Sequence, residues 1–409
     1  MTPRKPALGF IFVTLVLDIL GIGLIIPILP KLVENLAGGG VSEASHAFGL
    51  LAALYSLMQF VFAPILGSLS DRFGRRKVIL ISLFGSGLDY LLLAWAPTLP
   101  WFFVGRVIAG ITGANFAAAT AYIADVSPPE KRAANFGLIG AAFGLGFIIG
   151  PALGGVLGAY GLRVPFMVAG GLTLLNWLYG WFVLPESLAP TNRRAFSWAR
   201  ANPVGALIYL RTHPVAFGLT GTFFLVNLAH QVLPSTWVLY TGYRYGWTVK
   251  ETGISLAIVG LTSAIVQAGL TRVIVRKIGE ARSAVLGLTV ASISYLCYGL
   301  AEHGWMIYVI LVGASLGGVT GPAVQGLISR SVPANEQGGI QGSLTSLASV
   351  SGILGPPLAT GLFGYFISRS APIQLPGAAF FFSAALTATA LVLALRLFRR
   401  KGHIHPGER

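Results

Sequence analysis

Long apolar segments separated by short polar turns extend along almost the whole chain. A membrane-spanning helix needs about 20 predominantly apolar residues, and twelve segments of the sequence meet that length. They are residues 7–29, 47–69, 78–96, 99–124, 134–158, 164–184, 214–240, 252–275, 283–301, 304–328, 338–365 and 376–397. The pattern predicts an all-α membrane protein with twelve transmembrane helices, of which the first is a span and not a removable signal.

The longest polar segment, residues 185–213, lies between the sixth and seventh predicted spans. We interpret it as a cytoplasmic linker between an N-terminal six-helix bundle, residues 1–184, and a C-terminal six-helix bundle with a short basic tail, residues 214–409. The two halves match at a constant offset of 205 residues, as in Gly74 with Gly279, Gly113 with Gly318, and Gly150-Pro151 with Gly355-Pro356. Internal repetition of this kind predicts two pseudo-symmetric bundles with a substrate path between them.

Composition and charge agree with a membrane location. The 409 residues are 55% hydrophobic and 10% charged, whereas soluble proteins carry roughly 25% charged residues. A net charge of +15 could suit a nucleic-acid partner, but 22 of the 28 Lys and Arg fall on one predicted face of the membrane. Since short cytoplasmic loops collect basic residues, we expect a membrane protein with both termini in the cytoplasm, the lipid bilayer around it and no nucleic acid.

Asp18, Asp89 and Arg106 are ionisable side chains that lie well inside predicted spans. A charge at mid-membrane costs several kcal/mol, so such residues are usually functional. The equivalent positions in the second half are Phe223, Ser294 and Leu311. We therefore predict that Asp18 and Asp89 carry protons, with Arg106 in the same cycle. The alternatives are structurally paired or neutral carboxyls, and an arginine that reaches the membrane surface.

A short, strongly basic turn joins the second and third predicted spans and reads Gly67-Ser-Leu-Ser-Asp71-Arg72-Phe-Gly74-Arg75-Arg76-Lys77. Asp125 ends the fourth span on the same side. An ion pair between Asp125 and this turn would make Asp71, Arg75 and Asp125 a cytoplasmic gate. The alternative is that Asp125 is an ordinary loop charge.

Polar and aromatic residues in the spans are candidates for the lining of a cavity that takes an amphiphilic substrate. They are Tyr55, Gln59, Asn115, Phe223, Asn227 and Gln231. Proline inside a helix removes a hydrogen bond, so Gly150-Pro151 and Gly355-Pro356 are candidate bending points. The more ordinary role of the glycines around Gly150 is close helix packing.

Several functional classes lack a signal in this sequence. No His, Cys or carboxylate group has metal-ligand spacing, and no nucleotide-binding GxxxxGK[ST] motif is present. The single cysteine, Cys297, cannot form an intramolecular disulfide. We therefore expect neither an enzyme nor a cofactor or metal, and we expect transport to be driven by an ion gradient or by the substrate's own gradient.

Several motifs resemble those of a known family. The basic turn at 67–77 and Gly105-Arg106-Val-Ile-Ala-Gly110 are similar to signatures of the major facilitator superfamily, and Gly146 to Gly155 is similar to the fifth-helix motif of its drug/proton antiporters. Leu17-Asp18-Ile-Leu-Gly21, Gln59-Phe-Val-Phe-Ala63-Pro64 and Leu88-Asp89-Tyr90 are similar to the bacterial tetracycline/proton efflux antiporters.

The resemblance implies a twelve-helix secondary transporter of the bacterial inner membrane, a monomer, that exchanges protons for a small molecule by alternating access. It also implies the proton and gate roles given above to the charged residues. Two positions depart from the tetracycline pumps, because Ser263 and Ala291 stand where those pumps have a His and an Asp used in coupling. A drug, a lipid-like compound or a metabolite therefore remain alternative substrates.

Two rival functions remain open at this point. A symporter or uniporter could use the same fold, although the antiporter-like segment Gly146 to Gly155 speaks against it. A non-transporting membrane receptor or scaffold would have no use for acids inside the membrane. Substrate-induced loss of a pH gradient in vesicles distinguishes a transporter from a scaffold.

Overall fold

The computed structural model describes residues 8–38, 40–128, 132–196, 198, 202, 214–331 and 337–400. The described residues form helices and short connections, with no strand among them. Every predicted span corresponds to a helix or to consecutive helical pieces, which confirms the all-α membrane fold. Parts of the predicted linker, the first seven residues and the basic tail from 401 to 409 lie outside the described residues.

We number the α-helices in chain order. They are α1 Leu8–Ile25, α2 Leu29–Ala37, α3 Val41–Phe73, α4 Arg75–Trp95, α5 Leu99–Gly113, α6 Phe116–Val126, α7 Arg132–Gly158, α8 Val164–Val183, α9 Pro214–His230, α10 Val232–Tyr245, α11 Val249–Ile265, α12 Thr271–Leu300, α13 Gly304–Ala314, α14 Thr320–Arg330, α15 Gln337–Ile367 and α16 Ala378–Arg400.

In the described part of the chain, ten helical segments are long and apolar enough to cross a membrane. The seventh and eighth predicted spans are not among these ten. The seventh consists of α9 and α10, which meet at Gln231. The eighth consists of α11, a π-helical turn at Val266–Leu270 and the start of α12. The Thr271 hydroxyl donates to the Val266 carbonyl, five residues back, across this turn.

The chain forms two compact units. The first contains Met1–Gly38, Leu54–Asn202 and Thr248–Ala257, and the second contains Gly39–Ala53, Pro203–Trp247 and Ile258–Arg409. Each has its own apolar core, built around Ile19, Leu83 and Ile123 in the first unit and around Leu288, Ile328 and Phe398 in the second. The division of the chain at the 185–213 linker stays a prediction.

Small residues allow α1 and α7 to pack backbone against backbone. A Cβ atom at Gly23 would lie 2.8 Å from the Gly146 carbonyl oxygen and 2.9 Å from the Gly150 Cα. No side chain fits there, so close helix packing is confirmed as the local role of these glycines. Pro151 and Pro356 lie inside continuous helices, and their role as bending points stays a prediction.

A similar glycine contact occurs once in each unit. In the second unit, a Cβ at Gly49 would lie 3.2 Å from the Pro356 carbonyl oxygen. In the first unit, a Cβ at Gly253 would lie 2.5 Å from the Pro151 carbonyl oxygen. Pro151 and Pro356 are equivalent in the internal repeat, so the two contacts are equivalent as well.

Candidate functional site

Asp89 and Arg106 face each other inside the first unit. Asp89 on α4 is 1% exposed and Arg106 on α5 is 9% exposed. Arg106 Nη2 lies 3.9 Å from Asp89 Oδ2, which is within ion-pair range but beyond hydrogen-bond distance. Neither carboxylate oxygen has a hydrogen-bond partner among the described residues. A buried carboxylate that is paired but not hydrogen-bonded is suited to exchange a proton.

The residue before Arg106 explains how Asp89 reaches α5. A Cβ at Gly105 would lie 2.8 Å from Asp89 Oδ1 and would also collide with Leu93. Any larger residue would push the carboxylate away from the guanidinium. The Gly105-Arg106 pair therefore supplies both the space for the acid and the charge that faces it.

The second predicted acid, Asp18, lies on α1 and is 6% exposed. The side chain of Asn115 is the polar group beside its carboxyl. Asn115 lies between the end of α5 and the start of α6. The break after Gly113 thus places an amide against a buried carboxyl. Asp18 and Asn115, predicted for different roles, are neighbours in one cluster.

Two aromatic residues complete this cluster, which we call the buried acid cluster (Asp18, Tyr55, Asp89, Tyr90 and Arg106). The Arg106 Cζ lies 5.6 Å from the Tyr55 ring centroid, in cation–π range. Gln59 Nε2 donates to the Tyr55 hydroxyl at 2.8 Å. Tyr90 interacts electrostatically with both acids. Sequence reasoning missed Tyr90 as a site residue, although it directly follows Asp89.

The three predicted gate residues meet around one guanidinium. Arg75 Nη1 lies 2.5 Å from Asp71 Oδ1, and Arg75 Nε lies 3.2 Å from Asp125 Oδ2. Arg75 Nη1 also donates to Ser70 Oγ at 2.6 Å. The structure therefore brings Asp71, Arg75 and Asp125 together, and their action as a gate stays a proposal.

A fourth charged residue, Glu186, was missed by the sequence reasoning. Its Oε1 accepts the backbone N–H groups of Arg75 at 2.9 Å and of Ser187 and Leu188 at 3.0 Å. Gly74 has φ of 102°, and a side chain there would collide with the Glu186 carboxylate. Glu186 thus caps the start of α4 and holds the beginning of the linker against the gate. The local sequence offered no signal for this role, since an acid just after a span is ordinary for a loop.

Replacing Arg75 by Gln should weaken both the fold and transport. The change leaves the Asp71 and Asp125 carboxylates facing each other without their cation. Because both acids are partly exposed, we expect the free energy of unfolding to fall by about 2 kcal/mol, below the cost of breaking a fully buried pair. Thermal unfolding in detergent and transport in vesicles measure the two effects.

Lys77→Gln is the control for that change, because Lys77 is an exposed base on the same helix. It should leave the unfolding temperature and the transport rate close to wild type. Equal behaviour of the Arg75 and Lys77 variants would reduce the basic turn to a signal for membrane orientation.

The remaining predicted cavity residues lie in the second unit. Asn227 Nδ2 donates to the Phe223 carbonyl at 2.9 Å within α9, and the Phe223 side chain packs against the apolar core. Gln231, at the break between α9 and α10, packs against Gly355, where a Cβ would collide with its side chain. Their contact with a substrate stays a proposal.

No group of His, Cys, Asp and Glu in the described part of the chain is arranged to hold a metal ion. Ala291, one of the two positions that depart from the tetracycline pumps, packs against the turn after α13, 3.4 Å from a Cβ built at Gly317. Ser263, the other, is half-buried on α11.

Comparisons with known proteins agree on one family. A sequence profile described as Major Facilitator Superfamily matches residues 11–356. The class C tetracycline resistance protein of Escherichia coli is 41% identical over 357 residues, which cover 87% of this chain and 89% of that protein. The class H tetracycline resistance protein of Pasteurella multocida is 38% identical over 357 residues, which cover 86% of this chain and 88% of that protein.

A solved structure gives the same fold. The crystal structure of the human organic anion transporter MFSD10 superposes with a TM-score of 0.71 at 24% sequence identity, over 96% of this chain and 100% of that one. At this identity the likeness concerns the fold alone.

Proposed function

The chain belongs to the Major Facilitator Superfamily, and from that membership we propose that it exports an amphiphilic, tetracycline-like small molecule in exchange for protons. The observation that carries the proposal is the buried acid cluster. Two nearly inaccessible carboxylates, Asp18 and Asp89, lie in the same unit, and the Arg106 guanidinium faces Asp89. A scaffold or receptor gains nothing from this costly arrangement. We infer a transporter and not an enzyme.

In the proposed cycle, Asp18 and Asp89 take up protons from outside and release them to the cytoplasm. Arg106 is the charge that the ionised Asp89 carboxylate can pair with, so loss of a proton from Asp89 creates an ion pair with the guanidinium 3.9 Å away. Tyr55 and Gln59 present a hydroxyl and an amide beside this pair. They are the groups we propose to contact the substrate.

The gate around Arg75 would open and close as the transporter alternates between states open to the cytoplasm and to the outside. We propose that the protein lies in the bacterial inner membrane with both termini in the cytoplasm, as the distribution of basic residues indicates. Since one chain contains the whole cluster and the whole gate, a monomer suffices for the cycle.

Energised inside-out vesicles provide the test, because their lumen is acidic and drug export runs inward. Tetracycline added to vesicles that contain the protein should release protons from the lumen and partly collapse the pH gradient. Vesicles without the protein set the background. Because Ser263 and Ala291 differ from the tetracycline pumps, the substrate can be another compound. If tetracycline is inactive, the same assay with a panel of lipophilic cations and neutral amphiphiles identifies it. Absence of proton release with every compound would contradict proton antiport.

A further inference from the structure

A cavity of about 410 Å³ lies in the second unit, far along the chain from the buried acid cluster. The start of α9, the bend at Gly279 inside α12, and the ends of α14 and α16 line it, and we call it the Gly279 cavity after the glycine at that bend. Its floor is apolar and includes Leu219, Leu327 and Phe398. Its rim is charged and consists of Glu280, Arg282 and Arg330.

The charges at the rim are not balanced. Arg330 Nη2 lies 2.9 Å from Glu280 Oε1, while the Arg330 side chain remains 79% exposed. Arg282 is exposed and forms no ion pair with any residue that the structure describes. One acid thus faces two arginines, and a guanidinium has five N–H donors. The rim can accept another anion.

The cavity lies where membrane spans end. The predicted spans that contain α14 and α16 end at residues 328 and 397, and both helix ends contribute to the cavity lining. The apolar floor therefore adjoins the hydrocarbon layer, and the arginines lie at the level of the lipid head groups. Basic pockets between helix ends on the cytoplasmic side are typical sites for anionic lipid head groups.

The first unit supplies an independent comparison. Gly74 and Gly279 are equivalent in the internal repeat, and both have positive φ, 102° and 79°. At Gly74 the chain's own carboxylate, Glu186, occupies the space beside the glycine. At Gly279 the space is the open cavity. An anion from outside the chain can take the place that Glu186 takes in the first unit.

We propose that the Gly279 cavity binds an anionic phospholipid, with its phosphate on Arg282 and the exposed edge of Arg330, and with acyl carbons on the apolar floor. The chemistry recognised is a phosphodiester head group with a net negative charge and no cation of its own, joined to apolar chains. The proposal does not rest on proton antiport, because lipid binding is measured on purified protein without transport.

The test is native mass spectrometry of the purified full chain with dioleoyl phosphatidylglycerol, and dioleoyl phosphatidylcholine as the zwitterionic reference. Arg282→Gln removes a rim charge, and Leu327→Trp fills the floor. Arg272→Gln is the control, because Arg272 is an exposed arginine on the same helix outside the cavity. Thermal unfolding confirms that each variant is folded.

Phosphatidylglycerol adducts should be abundant in wild type and in Arg272→Gln, and roughly five-fold weaker in Arg282→Gln, as expected for one basic residue near a lipid phosphate. Leu327→Trp should reduce them without any change of charge. Equal adducts in all variants, or equal binding of phosphatidylcholine, would overturn the proposal. Displacement by millimolar inorganic phosphate would overturn it too, since the site would then bind free phosphate and not a lipid.

Discussion

Asp18→Asn should reduce substrate-driven proton movement to the level of vesicles that lack the protein, a loss on the order of a hundredfold, which is typical when a proton-transferring group is removed. Asparagine has nearly the same shape as aspartate and can still hydrogen-bond the Asn115 side chain that adjoins Asp18. Folding and insertion should therefore persist, and only the exchangeable proton is lost. The release of protons from inside-out vesicles measures the effect.

Two further variants make this result specific. Glu34→Gln makes the same chemical change at a half-exposed acid paired with Lys31, and it should retain full activity. Asp18→Glu keeps a titratable group and should recover part of the proton signal. Undiminished proton release by Asp18→Asn would remove Asp18 from the coupling mechanism and leave Asp89 as the candidate carrier.

Arg106→Leu should abolish coupled export and also destabilise the first unit. The change places at Arg106 the residue found at the equivalent position of the second half, Leu311. It leaves Asp89, 1% exposed, without a cation, and breaking a buried ion pair by removing one partner costs about 3 kcal/mol or more. Thermal unfolding in detergent and proton release in vesicles are the two measurements.

The double variant Asp89→Asn/Arg106→Leu separates stability from coupling. Because the buried charge of Asp89 is removed, the double variant should recover much of the decrease in unfolding temperature that Arg106→Leu causes. Coupled export should stay absent. A double-mutant cycle over the two single variants gives the interaction energy of the pair. If the two single effects on the free energy of unfolding simply add, the two side chains, 3.9 Å apart, have no net interaction energy.

The spans and the buried charges could be predicted from sequence because both follow from the cost of placing polar groups in a bilayer. Asp18, Asp89 and Arg106 stand out in apolar segments without any knowledge of their neighbours. Their meeting in one cluster could not be predicted in the same way. It depends on contacts between residues far apart in sequence, such as the space at Gly105 that admits Asp89.

Glu186 illustrates the same limit at the gate. An acid just after a span is ordinary for a loop. Its local sequence gives no hint that its carboxylate caps the start of α4, at a residue 111 positions earlier in the chain. The breaks in the seventh and eighth spans were also hidden, because apolar composition fixes the length of a span but not its hydrogen-bonding pattern. The break at Gln231 and the π-helical turn are features of the backbone hydrogen bonds.

That π-helical turn explains a one-residue discrepancy in the repeat. The equivalent glycines Gly49 and Gly253 are 204 residues apart, whereas Gly74 and Gly279, beyond the turn, are 205 apart. A π turn is the mark of a single inserted residue, and this one lies between the two pairs. Deleting a residue there would rotate the N-terminal part of the helix by about 100° relative to α12 and turn Gly253 away from Pro151. The bulge thus absorbs an insertion while keeping the helix in phase with its neighbour.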